Sequence, residues 1–290
     1  MVDSSSILFL LRSYNDIDHI VPVIWKASVS GWLTYILFVE QDYSDDYRIR
    51  FVLAQGATLL QGRPVLWYQT YLRRFLVFKI IKWLADRLVA YSFGLYFLVR
   101  YKIQVTVNEW SGPYGRGRAE YYLRAASLLK IPTYSLPHGY FLWINPFFNK
   151  EVSKYYEEKG FFPSFRNRNW FSRYVVLSPE HKSTNITYGM AAEKLIVMGS
   201  ARFCPEWLSL NKERTPEINK FHTNKQKCHL LFFVPDWEYN VDREACVSLL
   251  ERLSKEKNVF LRIKANTRGT GALTTVEKNS FKVKQTALDL

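Results

Sequence analysis

Five short stretches of this chain combine residue types that can do chemistry with small residues that let a ligand come close. In Tyr134-Ser-Leu-Pro-His138-Gly139-Tyr140 an imidazole and a glycine stand just past a short apolar run. His138 can donate, accept or carry a proton near neutral pH, and Gly139 can take a positive φ or admit a ligand to the backbone. Asn108-Glu109-Trp110 also follows an apolar run, so Glu109 is a second candidate base for a hydroxyl proton. Glu109 equally suits a cap on a helix after Ser111-Gly-Pro. The turn Gly199-Ser200-Ala-Arg202 offers a bend and a guanidinium that can grip two phosphate oxygens, or a plain structural turn at a domain boundary. Lys264-Ala-Asn266-Thr-Arg268-Gly269-Thr270 supplies cations and backbone donors for a phosphate, against the alternative of a solvated basic loop. Asp236 and Tyr239, in Pro235-Asp-Trp-Glu-Tyr239, are placed to wall a nucleotide pocket, with an aromatic ring for stacking. There is no spaced Asp-x-Asp, and Asp45-Asp46 is an adjacent pair in a polar loop. No metal and no cofactor are expected.

Those residues need elements to hold them. Periodicity predicts strands at Ile7–Leu11, Leu33–Val39, Ile103–Val107, Thr133–Leu136, Tyr174–Leu177 and Lys194–Val197, with helical patterns between several of them. The residues from Arg116 to Lys130 read as an amphipathic helix stopped by Ile131-Pro132. Strands alternating with helices predict a doubly wound α/β domain, whose ligands bind beyond the carboxyl ends of the strands. From residue 209 to 228 the chain turns polar, contains Pro216 and loses its period, which predicts a linker. A second α/β unit then begins with strand His229–Val234, helix Asp242–Lys255 and strand Val259–Ile263. Asn240 or Asp242 is available to cap that helix, and a further strand is expected at Phe281–Val283. A closed domain normally needs on the order of 100 residues, so the second domain is expected to be incomplete, as in a chain cut short at its C-terminus. The expected organisation is 1–208, an N-terminal acceptor-side domain; 209–228, a linker; and 229–290, a partial donor domain.

Composition narrows the partners. Of 290 residues 48% are hydrophobic and 23% charged, the composition of a globular protein, while 40 Lys+Arg against 26 Asp+Glu give a net charge of +14. That charge favours polyanions, anionic lipid or phosphorylated small molecules. Aromatic residues make up 17% of the chain, and many lie beside Lys or Arg, as in Trp67-Tyr68 through Arg73-Arg74-Phe75. The mixture suits an anionic membrane surface, although the segment Tyr71 to Val99 reads equally as helices packed on a sheet. No zinc, RRM or helix-turn-helix signature favours nucleic acid. Three cysteines, Cys204, Cys228 and Cys246, have no metal-ligand spacing and fit a reducing cytoplasm.

The blocks Ser135-Leu-Pro-His138-Gly139, Lys194-Leu-Ile-Val-Met-Gly199-Ser200-Ala-Arg202-Phe203 and Leu261-Arg-Ile-Lys264-Ala-Asn266-Thr-Arg268-Gly269 appear in the order found in GT-B-fold glycosyltransferases. The chain resembles those of surface-polysaccharide assembly, and is similar to CDP-glycerol glycerophosphotransferases and capsule-type transferases. The resemblance implies two Rossmann-like domains, a nucleotide-activated donor, with cytidine-linked donors preferred, a glycan or lipid-linked acceptor, and work at the inner membrane face. It implies His138 and Glu109 as catalytic groups. It implies Gly139, Gly199, Ser200, Arg202, Asp236, Tyr239, Lys264, Asn266, Arg268, Gly269 and Thr270 as donor contacts. The chain departs from the pattern at Ala265-Asn266, where those families have Pro-His; Asn266 can donate a hydrogen bond but cannot shuttle a proton. Two other readings stay open: a nonhydrolysing sugar-nucleotide 2-epimerase, which shares the two-domain layout, and a basic module that binds nucleic acid or membrane without catalysis.

Overall fold

The computed structural model describes residues 5–61, 92–109, 119–137, 150–161, 164–214, 228–235, 237 and 241–264. The chain divides into two compact units, Met1–Phe141 with Ser164–Lys212, and Leu142–Pro163 with Glu213–Leu290.

The first unit is built on β1 (Ser6–Leu11), α1 (Tyr14–Val29), β2 (Leu33–Phe38), α2 (Tyr47–Ala54), β3 (Thr58–Leu60), α3 (92–100), β4 (Val105–Glu109), α4 (Ala119–Leu128) and β5 (Thr133–Leu136). After the second unit's helix α5 (Lys150–Lys159) it resumes with β6 (Arg173–Val176), α6 (Pro179–Thr187), β7 (Leu195–Val197) and α7 (Pro205–Arg214). All seven strands are parallel, in the order β3-β2-β1-β4-β5-β6-β7. Strand order therefore reverses between β1 and β4, and this is the switch point at which open α/β sheets take their ligands.

Every residue of β1, Ser-Ile-Leu-Phe-Leu-Leu, is buried, as a central parallel strand covered on both faces requires. Its odd-numbered side chains Ile7, Phe9 and Leu11 pack with Ile17, Ile20, Val21 and Ile24 of α1 and with Ile49 and Val52 of α2. Trp207 of α7 joins that core, with its ring 5.8 Å from Trp25 and 6.1 Å from Phe51. On the other face α3 and α4 meet through Phe97 and Tyr122, 5.3 Å apart. A Cβ on Gly94 would lie 2.8 Å from the Tyr121 carbonyl oxygen, so that crossing needs a glycine.

β4 begins two residues later than its apolar pattern suggests. Ile103 is apolar because it closes the end of α3: Lys102 turns left-handed (φ 50°) and the Ile103 amide donates to the Leu98 carbonyl at 2.9 Å. Lys130-Ile131 ends α4 the same way, with Lys130 at φ 55° and the Ile131 amide on Ala126 at 2.8 Å. The shift makes Asn108 and Glu109 the last two residues of a strand. β3, short and half-exposed, carries no alternation to reveal it and emerges only in the structure. α7 covers residues 209–214 of the segment expected to be linker, and Trp207 anchors its start.

In the second unit, β8 (Cys228–Phe233) and β9 (Val259–Lys264) pair in parallel, joined by α8 (Arg243–Lys255). Asp242 caps α8, accepting from the Ala245 amide at 2.9 Å. Val234 and Leu250 are buried against Phe232, Val247, Leu261 and Ile263. The strand expected at Phe281–Val283 lies outside the described residues. Among the described residues no helix is long and apolar enough to cross a membrane.

Candidate functional site at the strand switch point

The carboxyl ends of β1 and β4 bring together charges from distant parts of the chain. Arg12, the first residue after β1, forms an ion pair through Nη2 with Glu109, the last residue of β4. Glu109 is only 2% exposed. Arg12 keeps a fifth of its side chain exposed, and its Nε has no hydrogen-bond partner among the described residues. The pair is thus a shielded carboxylate held by a guanidinium with donor capacity to spare.

The helix that follows does not add an anion site of its own. The buried Asp16 carboxylate accepts from the Arg12 and Ser13 amides, the latter at 3.1 Å, and from Ser13 Oγ at 2.8 Å. This Ser-x-x-Asp arrangement meets the positive end of α1 with the chain's own carboxylate, and it fixes the backbone that carries Arg12.

Next to the pair, Asn108 and Ser135 face each other in register on β4 and β5, and Ser135 faces Tyr174 on β6. Strand alternation turns all three away from α1. Ser135 Oγ donates to the Glu109 carbonyl at 3.2 Å, Tyr174 Oη bonds to Ser135, and Arg168 Nη1 donates to Tyr174 Oη at 3.2 Å. Burial raises the Tyr174 pKa and lowers that of Arg168, in each case against the attraction between them. His181, also buried, is pushed down to about 4 by burial first and then by the Arg168 charge, so it is neutral at pH 7. Its Nδ1 accepts from the Leu177 amide at 3.3 Å.

The turn singled out at Gly199 has the conformation that requires glycine: φ is +77°, with open space where a Cβ would stand. Ser200 follows, its Oγ buried and without a partner among the described residues. Arg202 is engaged by α1, with Nη1 3.3 Å from Asp18 Oδ2. Asp18 also pairs with the buried Arg48, which binds Asp46 at 2.8 Å and lies 4.5 Å from the Tyr14 ring centroid. Burial alone would raise the Asp46 pKa, but the bonds and charge of Arg48 outweigh it and hold it low.

Of the other expected site residues, His138, Gly139, Asp236, Tyr239, Asn266, Arg268, Gly269 and Thr270 lie outside the described residues. Lys264 is the last residue of β9, opposite Phe233. Among the described residues no group of His, Cys, Asp and Glu could hold a metal ion, and the three cysteines are unpaired. Sequence reasoning assigned no role to Arg12, Asn108 or Tyr174. A signal for Arg12 existed: a cation directly after a wholly apolar run and directly before a Ser-x-x-Asp box marks a strand end entering a helix. For Asn108 and Tyr174 the signal lies in strand register, which one sequence does not carry.

The chain matches no family model and no curated protein sequence. Its fold does match solved structures. UDP-GlcNAc 2-epimerase from Neisseria meningitidis, bound to UDP-GlcNAc, aligns over 95% of this chain and 69% of its own, with TM-score 0.56 and 13% identity. A glycosyltransferase from Rickettsia africae aligns over 96% and 65%, with TM-score 0.54 and 13% identity. MnaA of S. aureus, solved with UDP, aligns over 97% and 66%, with TM-score 0.53 and 11% identity. The chain therefore has the GT-B-like, Rossmann-type α/β fold expected from its sequence. It spans about two thirds of the length of these structures.

Proposed function

We propose that this protein is a glycosyl- or glycerophosphoryl-type transferase that draws on a nucleotide-activated donor in cell-surface polysaccharide assembly. The observation that carries the reading is the Arg12–Glu109 pair at the β1/β4 switch point, a carboxylate and an incompletely used guanidinium where this fold takes its ligands. In such a reaction an acceptor hydroxyl loses its proton and its oxygen bonds to the transferred group, while the bond from that group to the donor phosphate breaks. Fixed cations stabilise the charge that develops on the departing phosphate. In the proposal His138 or Glu109 takes the proton. Gly139, Gly199, Ser200 and Arg202 contribute from 1–208, and Asp236, Tyr239, Lys264, Asn266, Arg268, Gly269 and Thr270 from the donor domain 229–290. The donor is expected to be cytidine-linked, the acceptor a glycan or lipid-linked glycan, and the site of work the cytoplasmic face of an anionic membrane.

The 2-epimerase reading is kept because UDP-GlcNAc 2-epimerases are among the solved structures that share the fold. It predicts conversion of a nucleotide sugar without any acceptor, which product analysis separates from transfer.

Thermal shift with CDP, CMP, UDP and GDP tests the donor, since a bound nucleotide raises the melting temperature by mass action. Replacing Lys264 and Arg268 together by Ala should weaken binding of the preferred nucleoside diphosphate at least about tenfold, as expected for loss of one charge-assisted contact of roughly 1.5–3 kcal/mol. Equal binding by parent and double variant would reduce that basic segment to solvated surface.

A further inference from the structure

In the register row Leu10, Asn108, Ser135 and Tyr174, every polar member is sealed from solvent at 0% exposure. Tyr174 and Ser135 are satisfied in a directed chain from Arg168 to the Glu109 carbonyl. Asn108 is not. Neither its Oδ1 nor its Nδ2 has a hydrogen-bond partner among the described residues. Buried amides are satisfied in the great majority of cases, and a fold that leaves one open forgoes the stability that an apolar side chain of the same branching would give. Such departures concentrate where a protein binds something.

From this row we infer that Asn108 is a carbohydrate-binding residue, its amide donating to and accepting from hydroxyl groups of a sugar. This deepens the proposed function and rests on it. The chemistry of the residue selects the ligand class. An amide offers a donor and an acceptor side by side without charge, which matches a hydroxyl that both gives and takes a hydrogen bond. A phosphate would meet the acceptor Oδ1 as well as the donor Nδ2, so the amide is better matched to hydroxyl groups. Asn108 is also the penultimate residue of β4, beside β1 at the reversal of strand order and next to Glu109. Because the amide is fully covered, a ligand reaches it through a local opening, so that binding includes a conformational step.

The test uses the whole chain, Asn108→Leu, and Asn108→Ala, which adds no methyl groups and so avoids any overpacking by leucine. CDP, UDP, UDP-GlcNAc and a free N-acetylglucosamine oligosaccharide are the probes, and thermal shift and titration are the readouts. Without ligand, Asn108→Leu should melt about 2–4 °C higher than the parent, the shift expected from relieving one unsatisfied amide. Both variants should bind CDP and UDP as the parent does and lose about tenfold or more in affinity for a sugar-bearing probe. Loss confined to UDP-GlcNAc assigns Asn108 to the donor sugar, and loss confined to the oligosaccharide assigns it to the acceptor. Unchanged affinity of both variants for every sugar-bearing probe would overturn the inference while leaving nucleotide binding, and the proposed function, intact. A less stable Asn108→Leu with unchanged sugar binding would assign the amide to a buried water and overturn it as well. Failure of the parent to bind nucleotides, with Asn108-dependent binding of the oligosaccharide, would reject the nucleotide reading and uphold the inference; failure to bind any probe would reject both.

Discussion

Two polar clusters of the first unit lie on opposite faces of its sheet and solve the cost of burial in different ways. On the side of α1 and α2, two carboxylates, Asp18 and Asp46, share two guanidiniums, Arg48 and Arg202, and each charge has an opposite within reach. On the other face Arg168, Tyr174 and Ser135 form a single directed chain, His181 beside them is kept neutral, and Asn108 is left open. The buried Arg48 and Asp46 satisfy each other and tie α2 onto α1 through Asp18, while Arg202 joins the 201–203 turn to Asp18 with nearly half of its side chain open to solvent. An open amide in an otherwise satisfied row costs stability and keeps a capacity in reserve. The contrast separates a structural charge cluster, with Arg202 at its exposed edge as the member proposed to meet the donor, from a row whose open amide is proposed to meet a sugar.

The largest test of this contrast is Arg48→Ala. Arg48 is 6% exposed and holds both Asp46 and Asp18, so its removal strands two carboxylates and should cost about 3 kcal/mol in urea unfolding. A loss below about 1 kcal/mol would show the cluster to be ordinary surface charge. A smaller effect is expected of acid on the other face. Between pH 6.5 and about 4, His181 is neutral when folded but protonated when unfolded, so unfolding takes up about one proton and stability falls as pH falls through that window. His181→Asn keeps an acceptor for the Leu177 amide and should flatten the change in urea midpoint between about pH 7 and pH 4.5. A pH dependence identical to the parent's would mean that His181 titrates normally and that the face is wetter than described. Smallest is Arg202→Ala, which should cost less than about 1 kcal/mol, because Arg202 is 45% exposed and Asp18 retains Arg48. Loss of nucleotide affinity by about tenfold or more with stability otherwise kept would place Arg202 at the donor as proposed, and unchanged affinity would confine it to the ion-pair network.

The two units differ in a related way. In the first unit the central strand β1 is buried throughout, and the switch-point residues Asn108 and Glu109 are buried at 0% and 2% exposure. In the second, β8 leaves Leu231 and Phe233 57% and 62% exposed, with Val234 and Leu250 as its buried apolar core among the described residues. Precise placement of polar groups is therefore documented in the first unit, where Arg12, Asn108 and Glu109 stand on strand ends of a close-packed core.

Much of the fold was legible because its signals are local. The apolar runs of β1, β2 and β5, the stop of α4 at Ile131-Pro132, the Asp242 cap and the glycine at 199 each follow from side-chain periodicity or backbone sterics within a few residues. Even the error at β4 is instructive, since an isoleucine that plugs a helix end and one that starts a strand look alike in sequence. Glu109 was legible as a carboxylate at a strand end, but its pairing with Arg12 was not. What the sequence by itself determined is the alternation of strands and helices, hence the parallel sheet, and the charge that inclines the protein toward anions. The tertiary structure alone decided which of the many arginines meets which carboxylate, that Trp207 returns to the first core, and that Asn108, Ser135 and Tyr174 share one row. The reason is physical: periodicity acts over a turn or a strand, whereas register and burial are set by the collapse of segments far apart in the chain, and only burial distinguishes a polar residue that is satisfied from one still waiting for a partner.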